Sequence, residues 1–285
     1  MPNAAASNKP PRRERSPTRQ FVVGLARAFG GALIFSLPIF MTLEMWHLGF
    51  YADRLRLAML LVVMIPVLVG LSHYCGFEPT FEWREDVVDA FVAYAVGFIA
   101  AFVVLALFGE LRPGMPWDEI AGKLALQAVP GSVGALLAES QLGIKDEQPE
   151  ADVEHCTHTG ELFLMLVGAL FLALSVAPTE EIILIASRIS AAQGVALAMV
   201  SLIVMHAFVY AMEFSGQASI PEGTPHWSLL LRYTVPGYAL ALLTSMYLLW
   251  TFGRTEGNAP GHLAMATVVL GFPASIGAAA ARLMI

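Results

Sequence analysis

Apolar residues in this chain gather into long uninterrupted runs instead of alternating with polar ones. The runs cover residues 21–46, 57–74, 87–108, 120–138, 162–186, 191–212, 229–252 and 263–283. A helix needs about 20 apolar residues to cross roughly 30 Å of hydrocarbon. Seven runs meet that requirement outright, and the fourth is interrupted by Lys123 and Gln127. Each run predicts a membrane-crossing helix, and the polar stretches between them predict loops.

Matches between the halves of the chain bring the fourth run into the set. Gly31-Ala32-Leu33 matches Gly168-Ala169-Leu170, and in the same register Leu37, Thr42 and Glu44 match Leu174, Thr179 and Glu181. Tyr74 matches Tyr210, and Tyr94 and Val96 match Tyr233 and Val235. Pro130, Ser132, Gly134 and Ala135 match Pro273, Ser275, Gly277 and Ala278. Apolar matches come easily between membrane helices, but Thr, Glu, Tyr and Ser in one order do not. The pattern predicts an all-α polytopic transmembrane bundle of about eight spans, built as two four-span repeats. Repeat one covers 20–139 and repeat two 161–285, with a basic tail at 1–19 and an acidic linker at 140–160. A four-span unit returns the chain to its starting side, so the repeats are expected to run parallel about an axis normal to the membrane.

Composition agrees. The chain is 57% hydrophobic and 14% charged, with a mean hydropathy of +0.66. Soluble domains average about 45–50% apolar and about 25% charged residues. The necessary partner is therefore a lipid bilayer. The formal charge of −7 hides a strong segregation. Lys9, Arg12, Arg13, Arg15 and Arg19 crowd the tail, and Asp146, Glu147, Glu150, Asp152 and Glu154 crowd the linker. The Pro, Ser and Arg content of the tail predicts disorder. Its charge is read as topogenic and not as a nucleic-acid surface, which places the N-terminus in the cytoplasm. An even number of spans puts the C-terminus there too, with the linker and the loops at 75–86 and 213–228. Arg54, Arg56, Arg112 and Arg254 then face outward. The first run is too long for a signal-peptide core and has no small-residue cleavage site after it. Cys75 and Cys156 make no disulfide framework and are expected as free cytoplasmic thiols.

The first chemical candidates are the repeated acids. Glu44 follows Thr42 in the first run, and Glu180-Glu181 follow Pro178-Thr179 in the fifth. A carboxylate in hydrocarbon costs several kcal/mol unless it is paired, protonated or hydrated. Proline frees a backbone carbonyl one turn back. Glu44, Glu180 and Glu181 with the Thr42 and Thr179 hydroxyls are therefore the expected site for a cation or for protons. Helix-packing glue and plain interfacial placement are the competing readings, the latter strongest for Glu44 beside Trp46 and His47. His206 and Tyr210, one turn apart, suggest a proton relay or a structural hydrogen bond. The Pro130, Ser132, Gly134 and Pro273, Ser275, Gly277 segments suggest tight packing between the halves, a hinge, or broken helices lining a pathway at the repeat interface. In the linker, His155, Cys156 and His158 are good metal ligands in kind, but their spacing matches no structural zinc pattern, and a solvated acidic loop accounts for them as well. No H-E-x-x-H, G-x-S-x-G, phosphate-binding glycine loop or haem motif occurs, and no cofactor is called for. A cation or protons, and a second copy of the chain, are the further partners the pattern admits.

In size, span pattern and its Pro178-Thr179-Glu180-Glu181 segment the chain resembles an uncharacterised family of bacterial integral membrane proteins. That resemblance implies a place in the bacterial inner membrane and little more. Glu180-Glu181 followed by His206 also resembles, in part, the CAAX-type intramembrane proteases. The similarity implies a hydrolase in which a glutamate activates water. The chain departs from that pattern: Ile185 stands where the family has arginine, and Leu202 where it has phenylalanine. No second intramembrane histidine follows with a downstream Asn or Asp. A non-catalytic scaffold or sensor using the tail and linker is the third reading.

Overall fold

A computed structural model describes residues 17–75, 83–142, 158–211 and 230–282. Among them all regular structure is helical, with no strand. The first half holds α1 (Pro17–Phe40), a short α2 (Leu43–Tyr51), α3 (Arg54–Cys75), α4 (Trp83–Leu107) and α5 (Trp117–Leu142). The second half holds α6 (His158–Val176), a short α7 (Glu181–Arg188), α8 (Ala191–Ala211), α9 (Val235–Thr251) and α10 (Pro260–Arg282). The long helices alternate in direction. We call the end where α1 begins the near end and the other the far end. The tail, most of the acidic linker and the 213–228 loop lie outside the described residues.

Seven helices among the described residues are long and apolar enough to cross a membrane. They are α1, α3, α4, α5, α6, α8 and α10. The run at 229–252 differs from the expected single α-helix. It opens with a five-residue π turn, Leu230–Thr234, and only then becomes the 17-residue α9. Large apolar side chains stay exposed along the spans, including Ile34 at 65%, Val62 at 64% and Leu243 at 66%. Such a surface is at home in lipid and not in water.

The runs at 21–46 and 162–186 are not single helices, contrary to expectation. α1 stops at Phe40, where Thr42 takes an extended backbone (φ −88°, ψ 117°). The Thr42 hydroxyl donates to the Pro38 carbonyl at 2.8 Å, and the Trp46 indole donates to the Phe40 carbonyl at 2.7 Å. These bonds satisfy carbonyls that a helix end leaves without partners. α6 stops at Val176 and passes through a turn, where the Thr179 amide bonds the Val176 carbonyl at 3.0 Å. The Thr179 hydroxyl donates to the Val176 carbonyl at 2.8 Å, and Arg254 reaches the Pro178 carbonyl at 2.6 Å.

α5 and α10 form the centre of their own halves. In the first half Gly31 rests against Gly134 and Ala138, and Gly97 against Ala128, Gly131 and Ser132. In the second, Gly168 rests against Gly277 and Ala281. Lipid tails are as apolar as leucine, so membrane helices associate through close packing, which small residues permit. α4 and α9 end alike: Gly109 (φ 74°) and Gly253 (φ 72°) adopt the left-handed conformation that favours glycine. The next amides, of Glu110 and Arg254, bond back to Leu105 and Leu249 at 2.9 and 2.8 Å. The halves meet where Phe35 packs edge-on to Phe171 at 6.3 Å and Gly70 lies against Phe163.

Candidate functional site

Two helix breaks position the repeated acids. Phe40 meets Gly131 and Gly49 meets Lys123 on α5, so α2 continues outward along α5. Glu44 falls between those two levels, at the first turn of α2 and half-buried. Glu181 heads α7 and Glu180 precedes it, both exposed, and Glu180 makes no capping bond through its side chain. Among the described residues none of these three carboxylates forms an ion pair or side-chain hydrogen bond. The positive end of each short helix stabilises the negative charge beside it. The Thr42 and Thr179 hydroxyls each donate to a backbone carbonyl, which leaves their lone pairs available.

His206 lies well away from Glu180 and Glu181. Gly168 meets Gly277 on α10, and Gly194 meets Met265. Glu180 follows Gly168 by as many residues as His206 follows Gly194, but the two helices run in opposite directions. At 1.5 Å per residue this leaves Glu180 and His206 about 18 Å apart along the bundle. The structure therefore does not bring His206 together with Glu180 and Glu181. His206 Nδ1 instead pairs with the buried Thr234 hydroxyl at 3.0 Å, where the π turn passes into α9. π turns are frequent at functional sites. The Tyr210 side chain lies outside the described residues.

Pro130, Ser132 and Gly134 all lie buried in α5; in α10 Ser275 and Gly277 are buried and Pro273 is half-buried. The Ser132 and Ser275 hydroxyls donate to Val129 and Phe272 carbonyls at 2.8 and 2.7 Å. Gly131 and Gly134 meet Gly97, Phe40 and Gly31 in the first half, and Gly277 meets Gly168 and Leu172 in the second, so these contacts lie within each half. His155 and Cys156 fall outside the described residues. His158 heads α6 with its ring 5.0 Å from Tyr233. No cluster of metal-ligating side chains occurs among the described residues.

Four polar features were not singled out by any sequence motif. Lys123 is buried, and its ammonium lies 3.1 Å from the Glu110 carboxylate and 3.2 Å from that of Glu119. The Glu119–Lys123 spacing of one helical turn was the available signal. One turn deeper, the Gln127 amide is fully buried, with neither atom hydrogen-bonded among the described residues. At the near end, buried Asp86 holds His73 at 3.0 Å. At the far end, Arg56 of α3 bonds the Trp250 carbonyl and pairs with Glu256.

An all-helical bundle with lipid-suited flanks, broken spans and interior charge defines a multi-pass integral membrane protein. The chain belongs to the family described as "Putative integral membrane protein (DUF2391)", which matches residues 24–285. No curated protein and no solved structure matches it.

Proposed function

We propose that this membrane protein moves a cation or protons through a path between two duplicated halves, with Glu44, Glu180 and Glu181 binding the charge. The Thr42 and Thr179 hydroxyls supply neutral oxygen ligands. His206 with Thr234 serves as a proton relay deeper in the second half. The observation that carries the reading is the pair of helix breaks. Each half's first long helix ends at a threonine bonded back onto its last turn, and a carboxylate with no ion pair among the described residues sits in the first turn of the short helix that follows. Broken helices with freed backbone and carboxylates inside a span mark ion pathways in membrane proteins. The duplication is supported by the element order and by the Gly31–Gly134 and Gly168–Gly277 contacts. Both termini are assigned to the cytoplasmic side of the bacterial inner membrane from the basic tail.

The test is ion and proton flux in proteoliposomes, wild type beside Glu44→Gln and Glu181→Gln, across monovalent and divalent cations. Loss in both variants supports a site spanning the halves. Undiminished flux in both sinks it, and absence of flux for any ion in folded wild-type protein rejects transport.

A further inference from the structure

We infer that Arg254 is the resident counter-ion of the acidic site in the second half. It rests on the Pro178 carbonyl while the site is open, and swings onto the Glu180 carboxylate when no cation is bound. The inference rests on the cation site proposed above and adds the group that competes with the cation. α9 is followed by Gly253 in the left-handed conformation, and the Arg254 amide bonds back to Leu249 at 2.8 Å. The Asn258 amide donates to the Arg254 carbonyl at 2.9 Å. The backbone of Arg254 is thus held on both sides, which leaves motion to its side chain. Nη2 of that side chain donates to the Pro178 carbonyl at 2.6 Å, at the break between α6 and α7.

Two observations point to an unfinished pairing. The first is the fork. Nε and Nη2 lie on one edge of the guanidinium, and that edge takes both oxygens of a carboxylate. Here Nη2 holds a carbonyl, while Nε is buried with no hydrogen-bond partner among the described residues. A buried donor left unbonded is costly and is rare without a reason. The second is charge. Arg56 faces Glu256, Lys123 faces Glu110 and Glu119, and Arg54 lies 3.5 Å from Asp118. Arg254 is half-buried and faces no carboxylate within ion-pair distance among the described residues. Glu180 is the complementary case, an acid without an ion pair, two residues beyond the carbonyl that Arg254 holds. Two residues span at most about 7 Å, a gap that rotation of two long side chains closes. Pairing would neutralise Glu180 and hold a cation off it. A cation bound at Glu180 sends the guanidinium back to the uncharged Pro178 oxygen. The break beside Glu44 lacks such a group, since the Thr42 hydroxyl takes the Pro38 carbonyl there. The control therefore belongs to the second half alone.

The experiment is a double-mutant cycle on the full chain in dodecylmaltoside, with urea unfolding read by tryptophan fluorescence and N-methylglucamine as the only added cation. Wild type, Arg254→Gln, Glu180→Gln and the double variant should show a coupling of about fivefold in the unfolding equilibrium. A role confined to the Pro178 carbonyl leaves the two substitutions independent, so additive effects would overturn the proposal. Coupling of Arg254 to Glu181 in place of Glu180 would overturn it as well. In the same cycle Arg254→Lys, which keeps the charge but not the two-pronged edge, should uncover a coupling of about twofold. That variant carries the test if the glutamine one does not fold. Any ion carried in the flux assay should abolish the coupling when added in excess, and a carried ion that leaves it unchanged would refute the competition. Absence of flux with the coupling intact sinks the transport reading alone; flux without coupling sinks this inference alone.

Discussion

Arg56 and Trp250 tie the two halves together at the far end of the bundle. The guanidinium donates to the Trp250 carbonyl at 3.0 Å and lies over its indole at 5.1 Å, while its other arm pairs with Glu256. The carbonyl belongs to the last turn of α9 and also accepts the Gly253 amide at 3.1 Å, so Arg56 fills its second lone pair. One side chain thus caps a helix, stacks on a ring and holds a carboxylate across the junction. Arg56→Ala should destabilise the protein by about 2 kcal/mol. Arg56→Lys should restore less than half of this, because an ammonium keeps the charge but not the planar fork. Thermal unfolding in detergent checks both; full rescue by lysine would reduce the contact to a simple charge pair.

The glycine contacts predict a sharp contrast. A Cβ on Gly134 would lie 3.0 Å from the Gly31 carbonyl oxygen and 3.0 Å from the Phe35 Cβ. Gly277 faces Gly168 and Leu172 in the same manner. Gly134→Val and Gly277→Val should each cost about 1–3 kcal/mol, the usual range for overpacking. Gly30 has nothing within 4 Å of a built Cβ. Gly30→Ala should therefore be neutral or stabilise by up to about 1 kcal/mol through helix propensity. Melting temperatures of the three variants decide the matter.

Lys123 tests whether the far-end charge cluster holds the fold. Removing the ammonium leaves Glu110 and Glu119 facing each other with little solvent. Lys123→Met alone should cost about 3–5 kcal/mol, the range for breaking a buried pair. Adding Glu110→Gln and Glu119→Gln should recover most of that loss, since the penalty lies in the stranded charges. A single variant as stable as wild type would show that water reaches the cluster freely.

The helical fold was legible because the apolar runs exceed anything a soluble domain hides. The helix breaks were not, because the apolar run continues through Met41 and Leu43 and again through Ala177. Period and hydropathy cannot register a break inside an unbroken run; only Pro178 with Thr179 hinted at one. Glu44 stands late in the first run, and the sequence did not show that a new helix starts at Leu43 just before it. Lys123 and Gln127 looked like blemishes in a weak span. Their meaning depends on Glu110 arriving from the α4–α5 turn, a contact set by packing register and not by local pattern. Arg56 is more remote still, as its partners lie in the other half.

The last prediction concerns Glu181 and His206. Sequence order alone allows them to meet, as a glutamate-activated hydrolase requires. Helix register denies it: Gly168 and Gly194 rest on α10 at Gly277 and Met265, levels twelve residues apart in the sequence. α6 leads from Gly168 outward to the acids, while α8 leads from Gly194 inward to His206. With Cys75 and Cys156 replaced by serine, spin labels at Glu181→Cys and His206→Cys should give a dipolar distance of about 18 Å or more. A population near 10 Å would mean that α7 folds down beside α8, bringing the carboxylates within reach of the imidazole. That outcome would raise the hydrolase reading above transport and make a peptide cleavage assay with His206→Ala the decisive comparison.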